Sequence, residues 1–160
     1  MTKINNNFNE HKNLRDVLGK FSTGVTVVTT IDSKLNPVGI TVNSFSSVSL
    51  EPPLISWCLG KTQPSHPDFV NSNGFVVNVL TKKQIDICKR FSNPCINKFD
   101  NFKFKKTNEG YPIINNSLAN IICKIWKIYP GGDHDIFVGQ VTNFQSSNQD
   151  PLLFWNGNLI

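Results

Sequence analysis

The stretch that decides the fold reads Thr41-Val42-Asn43-Ser44-Phe45-Ser46-Ser47-Val48-Ser49-Leu50-Glu51-Pro52-Pro53-Leu54. It sets hydroxyl and amide side chains among apolar ones, within a run that otherwise has the character of a β-strand. A half-buried strand alternates strictly between polar and apolar residues, but here the alternation slips between Asn43 and Ser47. The slip predicts a bend or bulge that aims hydroxyls and backbone N–H groups at a ligand. Pro52 and Pro53 then end the segment, because proline donates no hydrogen bond to a ladder.

A cluster of uncharged hydroxyls and amides is a poor site for a nucleophile. It suits a phosphate or the polar edge of a heterocyclic ring, because each hydrogen bond to a charged group contributes about 1.5–3 kcal/mol. The alternative interpretation is a Ser/Thr-rich strand on a solvated face of a sheet. The residue pattern by itself leaves both interpretations open.

Length and composition predict one domain with a substantial core, since the chain has 160 residues, 39% of them hydrophobic, and 12 Phe. We expect the polar, Asn-rich residues 1–7 to be a disordered lead-in and residues 8–160 to form the single domain. The chain shows no signal peptide and no apolar run of about 20 residues, so we expect no membrane association. Its four cysteines lack paired spacing, which indicates free thiols in a reducing cytoplasm.

The predicted elements are mostly strands, without the regular βαβ alternation of a doubly wound sheet. A helix is expected from Phe8, with Phe8, Leu14, Val17, Leu18 and Phe21 sharing a face. A second, short helix follows Pro67, and a third begins at Thr81, where Gln84 completes a capping box. The predicted strands are 25–31, 38–41, 54–59, 75–80, 118–129, 136–141 and 151–155, with short ones near Phe102 and at 112–114. Strand 54–59 is expected to be central in its sheet, because it is nearly all apolar. This count favours an antiparallel barrel or an α+β fold.

The net charge of +5 and the pI of about 9.1 are compatible with nucleic-acid binding. The cations are scattered, however, and the mixed aromatic and basic segment 101–106 is better explained as an edge strand with a solvated lysine face. We therefore expect no nucleic-acid partner; a basic nucleic-acid binder would show salt-sensitive binding to oligonucleotides. A positive field also attracts anionic cofactors such as FMN, FAD or NADPH.

Several chemistries are excluded by their missing motifs. No dinucleotide-binding glycine motif, P-loop or nucleophile elbow is present. We expect no metal site, since Asp133 and Asp135 flank His134 on a strand whose successive residues face opposite sides. His134 follows two glycines, so its ring can overhang a pocket; the alternative is a surface histidine satisfied by Asp133 or Asp135.

Four polar residues remain as candidates for contacts to a phosphate: Lys61, Ser65, His66 and Arg90. For Lys61 and Arg90 the alternative is a solvated charge at the end of an element. Arg90 also complements the macrodipole of the predicted third helix.

Five blocks, in order along the chain, resemble the flavin reductase-like family. They are Leu18–Thr30, Gly39–Leu54, Gly74–Leu80, Gly131–Gly139 and Pro151–Leu153, so the resemblance covers about Leu14 to Phe154. The family comprises the small reductase components of two-component flavin-dependent monooxygenases. The resemblance implies an FMN-binding split β-barrel of antiparallel Greek-key type, usually a homodimer with the flavin near the subunit interface. It further implies an NAD(P)H:flavin oxidoreductase that uses NADH or NADPH, binds FMN or FAD, and supplies reduced flavin to a separate oxygenase.

The resemblance also implies roles for individual residues. Thr41, Val42, Asn43 and Ser44 would hold the flavin, and Cys58, Leu59 and Lys61 would lie along it. Ser65 and Arg90 would approach the phosphate, Phe91 would pack nearby, and His134 would border the nicotinamide side.

Two departures from the family pattern motivate an alternative function. The loop 61–67 carries Pro64 and Pro67 where the family has a plainer Ser/Thr loop, and residues 156–160 lack the usual aromatic. The alternative is a flavin-binding protein of the same fold that does not turn over NAD(P)H.

Overall fold

The computed structural model describes residues 11–94 and 97–160. The predicted lead-in and Phe8 lie outside this part. The helices are α1 (His11–Leu18), α2 (His66–Asn71) and α3 (Ile85–Ser92), the last preceded by a 3₁₀ turn at Lys82–Gln84. The strands are β1 (Thr23–Gly24), β2 (Thr26–Ile31), β3 (Pro37–Val42), β4 (Ser46–Leu50), β5 (Pro53–Gly60), β6 (Gly74–Val79), β7 (Phe104–Lys106), β8 (Pro112–Ile114), β9 (Ala119–Gly131), β10 (His134–Ser146), β11 (Leu153–Trp155) and β12 (Asn158–Leu159).

Seven strands form the main sheet in the order β3-β2-β6-β9-β10-β5-β4, and every neighbouring pair is antiparallel. Two small sheets, β1-β11-β12 and β7-β8, complete the described chain. The predicted mainly β, antiparallel fold is therefore confirmed.

The main sheet curls, because its two edge strands are consecutive in the chain. Only residues 43–45 join β3 to β4, and a path from Val42 to Ser46 reaches at most about 15 Å. A flat sheet of seven strands would hold its edges about 29 Å apart. The predicted bend is thus confirmed, and it brings the two edges together; no ladder between β3 and β4 is seen among the described residues.

Four aromatic rings fill the inside of the curled sheet. Trp57 and Phe137 stack with their ring centroids 4.7 Å apart, and Phe69 and Phe75 meet Trp57 edge-on at 5.0 and 5.6 Å. All four side chains are fully buried. Such pairs add about 0.5–1.5 kcal/mol each beyond their burial, so this cluster is the principal apolar anchor of the sheet.

A second core lies outside β2, where α3 covers the sheet. It contains Val27, Leu80, Cys88, Phe91 and Leu152. Strand β2 is consequently buried on both faces from Thr26 to Thr30. The capping box predicted at Thr81 is confirmed, since the Thr81 N–H donates to Gln84 Oε1 at 3.1 Å.

The apolar residues predicted to share one helix face are exposed where the structure describes them, with exposed fractions from 48% for Leu14 to 79% for Phe21. Two expectations from the sequence differ from the structure. Strand β5 is not central but second from an edge, because its neighbour β4 is a polar strand that the apolar pattern does not mark. Strand β10 extends to Ser146, since ladder hydrogen bonds continue after the apolar alternation has ended.

No helix in the described residues is long and apolar enough to cross a membrane.

Candidate functional site

The bend after β3 is held by the hydroxyl of Ser44. Its Oγ accepts a hydrogen bond from the Cys58 N–H at 2.9 Å and donates to the Cys58 carbonyl at 3.2 Å. A side chain thus replaces the ladder contact that the bent backbone cannot make with β5. Ser44 therefore fixes the bend, and its hydroxyl already has two partners within the protein.

The end of β3 is also tied to its other neighbours. Thr41 Oγ1 donates to the Cys88 carbonyl of α3 at 2.9 Å, and Thr26 Oγ1 donates to the Val42 carbonyl at 3.1 Å. Within residues 11–94 and 97–160, strand β3 is an edge strand that pairs only with β2. An edge strand leaves outward-facing N–H and C=O groups without a ladder partner, although the Gly39 carbonyl accepts a hydrogen bond from Lys98. The bonds made by Thr41 and Thr26 hold the end of this strand in place.

A groove of about 580 Å³, here called the main groove, lies against this end of β3. It is lined by Val25, Thr41, Val42, Asn43, Cys88, Lys89, Ser92, Asn93, Phe154, Gly157 and Leu159. Its volume falls within the usual range for small-molecule sites, and its lining combines apolar surface with a few polar groups. Phe154 and Leu159 can cover the face of a planar ring, while Asn43 and Lys89 offer polar contacts.

A smaller opening of about 290 Å³, here called the side cleft, lies further up β3. Gly39, Ser65, Asp68 and Lys98 are among its lining residues. Lys98 Nζ donates to the carbonyls of Gly39 at 3.1 Å and Phe91 at 2.9 Å. Burial raises the pKa of Asp68, and Asp32 adds to this effect. The side cleft thus joins the predicted phosphate residue Ser65 to a lysine that sequence reasoning missed.

Cys58 and Leu59 lie behind the bend. Burial raises the pKa of the Cys58 thiol, although its hydrogen bond with Ser44 opposes the rise. The thiol is therefore protonated at neutral pH and is not a nucleophile. The Leu59 side chain is 1% exposed and belongs to the inner core, so only its backbone could contact a ligand.

Lys61 and His134 meet at the end of β5 and β10, where His134 pairs with Gly60. Lys61 Nζ donates to the Gly132 carbonyl at 2.7 Å. His134 Nδ1 lies 2.7 Å from Asp133 Oδ1, and this hydrogen bond lowers the pKa of the Asp133 carboxyl. The alternative interpretation of His134, an exposed histidine with an aspartate partner, matches this contact.

Arg90 and Phe91 are consecutive on α3, and both contact the 98–102 loop. The Arg90 guanidinium donates from Nε to the Lys98 carbonyl at 2.5 Å and also to the Asp100 carbonyl, and it stacks over the Phe102 ring. Phe91 is fully buried, edge-on to Phe99 and Phe102. Arg90 therefore organises the 98–102 loop, and its predicted contact to a phosphate stays a prediction.

The structure gathers the predicted residues into separate groups. Thr41, Val42 and Asn43 line the main groove, Ser65 lines the side cleft, and Lys61 and His134 occupy the hairpin end. Sequence reasoning missed the far wall of the main groove, formed by Cys88, Lys89 and Ser92 of α3 and by Phe154 and Leu159. The capping box at Thr81 indicated where α3 begins. No sequence signal indicated that the C-terminal hairpin, formed by β11 and β12, lies beside this groove.

These features define the class of protein: a curled antiparallel sheet that offers a nucleotide-sized groove beside a rigid, polar edge strand. A flavin fits the groove by its chemistry, because apolar walls can cover the ring while edge-strand amides and Asn43 can meet its polar edge. The described residues contain no cluster of three or more His, Cys, Asp or Glu side chains that could hold a metal ion.

The chain belongs to the family described as the flavin reductase like domain, whose model matches residues 18–159. The family predicted from the sequence is therefore confirmed. The match covers the bend, both walls of the main groove, and the hairpin that carries His134.

Individual relatives agree with this assignment. The chain is 40% identical over 147 residues to the flavin-dependent monooxygenase reductase subunit HsaB of Rhodococcus jostii, covering 91% of this chain and 75% of that protein. It is 39% identical over 146 residues to the FMN reductase (NADH) SmoA of Agrobacterium fabrum, covering 91% and 83%. Two other matched proteins are about twice as long as this chain, so the chain covers only 46% and 52% of their lengths.

A solved structure shares the whole fold. It is the NADH:FAD oxidoreductase SgcE6 of Streptomyces globisporus C-1027, in complex with NAD and FAD fragments. The TM-score is 0.91 at 35% identity, and the match covers 100% of this chain and 96% of that one.

Proposed function

We propose that the chain is an NADH-dependent flavin reductase that transfers a hydride from the reduced nicotinamide to FMN or FAD. The observation that carries this proposal is the rigid bend at the end of β3 beside a nucleotide-sized groove, in a member of the flavin reductase family. NADH is the nucleotide named for both SmoA and SgcE6, so we expect it to be preferred over NADPH.

The protein contributes orientation rather than acid–base chemistry. The nicotinamide and flavin supply the hydride chemistry when both are bound. Thr41, Val42 and Asn43 would present outer backbone groups of an edge strand to the polar edge of the flavin ring. Ser44 and Cys58 hold these donors in place from behind, and preorganised donors stabilise negative charge that develops during reaction.

The remaining predicted contacts follow the same arrangement. Ser65 would bind the flavin phosphate in the side cleft, with Lys98 supplying positive charge and Arg90 shaping the loop beside it. Phe91 would support the cleft from below through its contact with Gly39. Lys61 and the backbone of Leu59 would lie along the flavin. His134 would border the nicotinamide side, where the two rings must stack at reactive distance.

Spectrophotometry tests this function directly. Purified protein is mixed with NADH and FMN or FAD, and the nicotinamide absorbance is followed with and without flavin. We expect flavin-dependent oxidation of NADH. Tight flavin binding without NADH oxidation would select the alternative of a flavin-binding protein, and neither binding nor oxidation would refute the proposal.

A matched pair of variants tests the main groove. Ser92 lines it, and Ser92→Trp would fill it with an indole; Ser33 is an exposed turn residue, so Ser33→Trp is the control. We expect Ser92→Trp to raise the KM for flavin at least about tenfold, a loss of about 1.4 kcal/mol of binding. An unchanged KM in Ser92→Trp would place the flavin elsewhere.

The chain would act as a homodimer. The exposed apolar residues of α1 adjoin the C-terminal hairpin, where the Asn156 N–H donates to the Gly19 carbonyl at 2.9 Å. Val17, Leu18 and Phe21 near this hairpin, and Trp155 on it, are all exposed in the single chain. Monomeric proteins rarely expose large apolar surfaces, and such surfaces commonly mark a protein–protein interface. Light scattering should give twice the chain mass for the wild type and the single mass for Val17→Glu with Leu18→Glu.

The wider setting is proposed on the same basis. The curled sheet would be a split barrel, open between β3 and β4. Reduced flavin would pass to a separate oxygenase, as the name of HsaB indicates for that protein. Cys58, Cys88 and Cys123 are free thiols, which suits the reducing cytoplasm.

A further inference from the structure

Asp135 joins the loop after β5 to the β9–β10 hairpin. Its Oδ2 lies 2.8 Å from His66 Nε2, and its Oδ1 lies 3.6 Å from Lys61 Nζ. The side chains of Asp135 and His66 are only 16% and 17% exposed. The hydrogen bond from His66, assisted by Lys61, lowers the pKa of the Asp135 carboxyl, so the carboxylate is charged at neutral pH.

The two partners of Asp135 bracket the loop 61–66. At its start, the Lys61 N–H donates to the Asp133 carbonyl at 3.0 Å, and Lys61 Nζ reaches the Gly132 carbonyl. Between the partners, the backbone bonds are local: the Gln63 N–H donates to Gly60 and the His66 N–H donates to Gln63. The carboxylate therefore holds both ends of a loop whose middle has no ladder partner in the described part of the chain.

This arrangement affects the site more than the fold. Helix α2 begins at His66 but is anchored independently by Phe69, which is fully buried in the inner core. Ser65 precedes His66 and lines the side cleft, while His134 precedes Asp135 and lies at the hairpin end. The Asp135 carboxylate thus links the segment that carries Ser65, proposed to bind the flavin phosphate, to the segment that carries His134, proposed to border the nicotinamide.

We propose that Asp135 is a positioning residue, which fixes Ser65 relative to His134 by binding Lys61 and His66 at once. This inference rests on the proposed function, in which the side cleft binds the flavin phosphate. Asp135 acts through its two partners and touches neither flavin nor nicotinamide. Its loss should weaken flavin binding while the hydride step in the assembled complex stays nearly intact.

Steady-state kinetics with FMN and NADH, together with thermal unfolding, tests the proposal. We expect Asp135→Asn to raise the KM for FMN about fivefold to tenfold, with kcat changed less than about twofold, the pattern for lost uniform binding. Asp86→Asn is the matched control: it removes one exposed carboxylate from α3 and should leave both constants unchanged.

Conservative replacement of His66 separates positioning from general stability. His66→Gln keeps a donor for Asp135 and should hold the KM for FMN within about twofold of the wild type. His66→Ala removes the donor and should raise KM as Asp135→Asn does. Hydrogen exchange should show faster exchange of the Lys61 and His66 amides in Asp135→Asn than in Asp86→Asn.

The outcomes are distinct. An active wild type whose Asp135→Asn variant keeps its KM for FMN, with or without a lower melting temperature, would overturn the positioning role alone. A matching fall in kcat with constant KM would also overturn it. A wild type that neither binds FMN nor oxidises NADH would overturn the proposed function, and this inference with it.

Discussion

Gly39→Ala probes how closely β3 and α3 pack beside the site. A Cβ at Gly39 would lie 2.7 Å from Cε1 and 2.8 Å from Cδ1 of Phe91, well inside the carbon–carbon optimum of about 3.5–4.0 Å. The Phe91 ring is fully buried and meets Phe99 and Phe102 edge-on at 5.0 and 5.3 Å. It therefore cannot turn aside without disturbing both neighbours.

The expected cost is about 2 kcal/mol, in the middle of the range of about 1–3 kcal/mol for an overpacked core. For a chain of this length, such a loss lowers the melting temperature by about 4–8 °C. Relief of the clash by movement of α3 would also stretch the 2.9 Å bond from Thr41 Oγ1 to the Cys88 carbonyl. The KM for flavin should then rise along with the loss of stability.

Urea unfolding of four variants, three single and one double, isolates the contact. Gly24→Ala is the control, because its Cβ would meet nothing within 4 Å, and its stability should change by less than about 0.5 kcal/mol. Phe91→Leu makes room for the new methyl group, so its combination with Gly39→Ala should cost at least about 1 kcal/mol less than the sum of the single changes. Equal stability of Gly39→Ala and Gly24→Ala, or strict additivity in the double variant, would refute the reasoning.

Three further predictions concern two polar side chains and one buried thiol. Asn78 is fully buried, and its Oδ1 accepts a hydrogen bond from the Ile114 N–H at 2.9 Å. Asn78→Ala should lower the free energy of unfolding in urea by about 3 kcal/mol, because that donor is left unpaired. A loss under about 1 kcal/mol would contradict this. Thr41→Val removes the hydroxyl bonded to Cys88 and should cost about 1 kcal/mol and raise the KM for flavin; a stable variant with unchanged KM would show that this bond is dispensable. Burial raises the pKa of Cys123 to about 12 from 9.0. The contribution of the protonated Cys123 thiol to folding stability is therefore complete below pH 9 and declines as pH rises toward 12. Alkylation at pH 8 should label Cys123 only in urea, and labelling of the folded protein would contradict the burial.

Local chemistry made several elements predictable from the sequence. The capping box at Thr81 is predictable because it involves residues three positions apart, and the hairpin of β2 and β3 because a turn-forming segment separates two β-branched runs. The bend near Asn43 was visible as a break in alternation. The length of a strand ladder was not visible in the sequence, since backbone hydrogen bonds continue through polar residues. Strand β10 accordingly runs to Ser146.

The site was predictable only in part, for a similar reason. The residue order and the family blocks marked Thr41 to Ser44, but the partners of these residues come from distant segments. Phe154 reaches the groove because β11 pairs with β1, and Lys98 reaches the side cleft because two carbonyls hold its ammonium.

The sequence by itself determined that this is an antiparallel β protein of the flavin reductase family with a bent, hydroxyl-rich strand, because alternation, capping and turn chemistry act over a few residues. Only the tertiary structure decided that the bend brings the two sheet edges together, and that Asp135 collects Lys61 and His66 into one cluster. Those contacts depend on curvature accumulated over seven strands and on the register of β5 against β10, which no local pattern encodes.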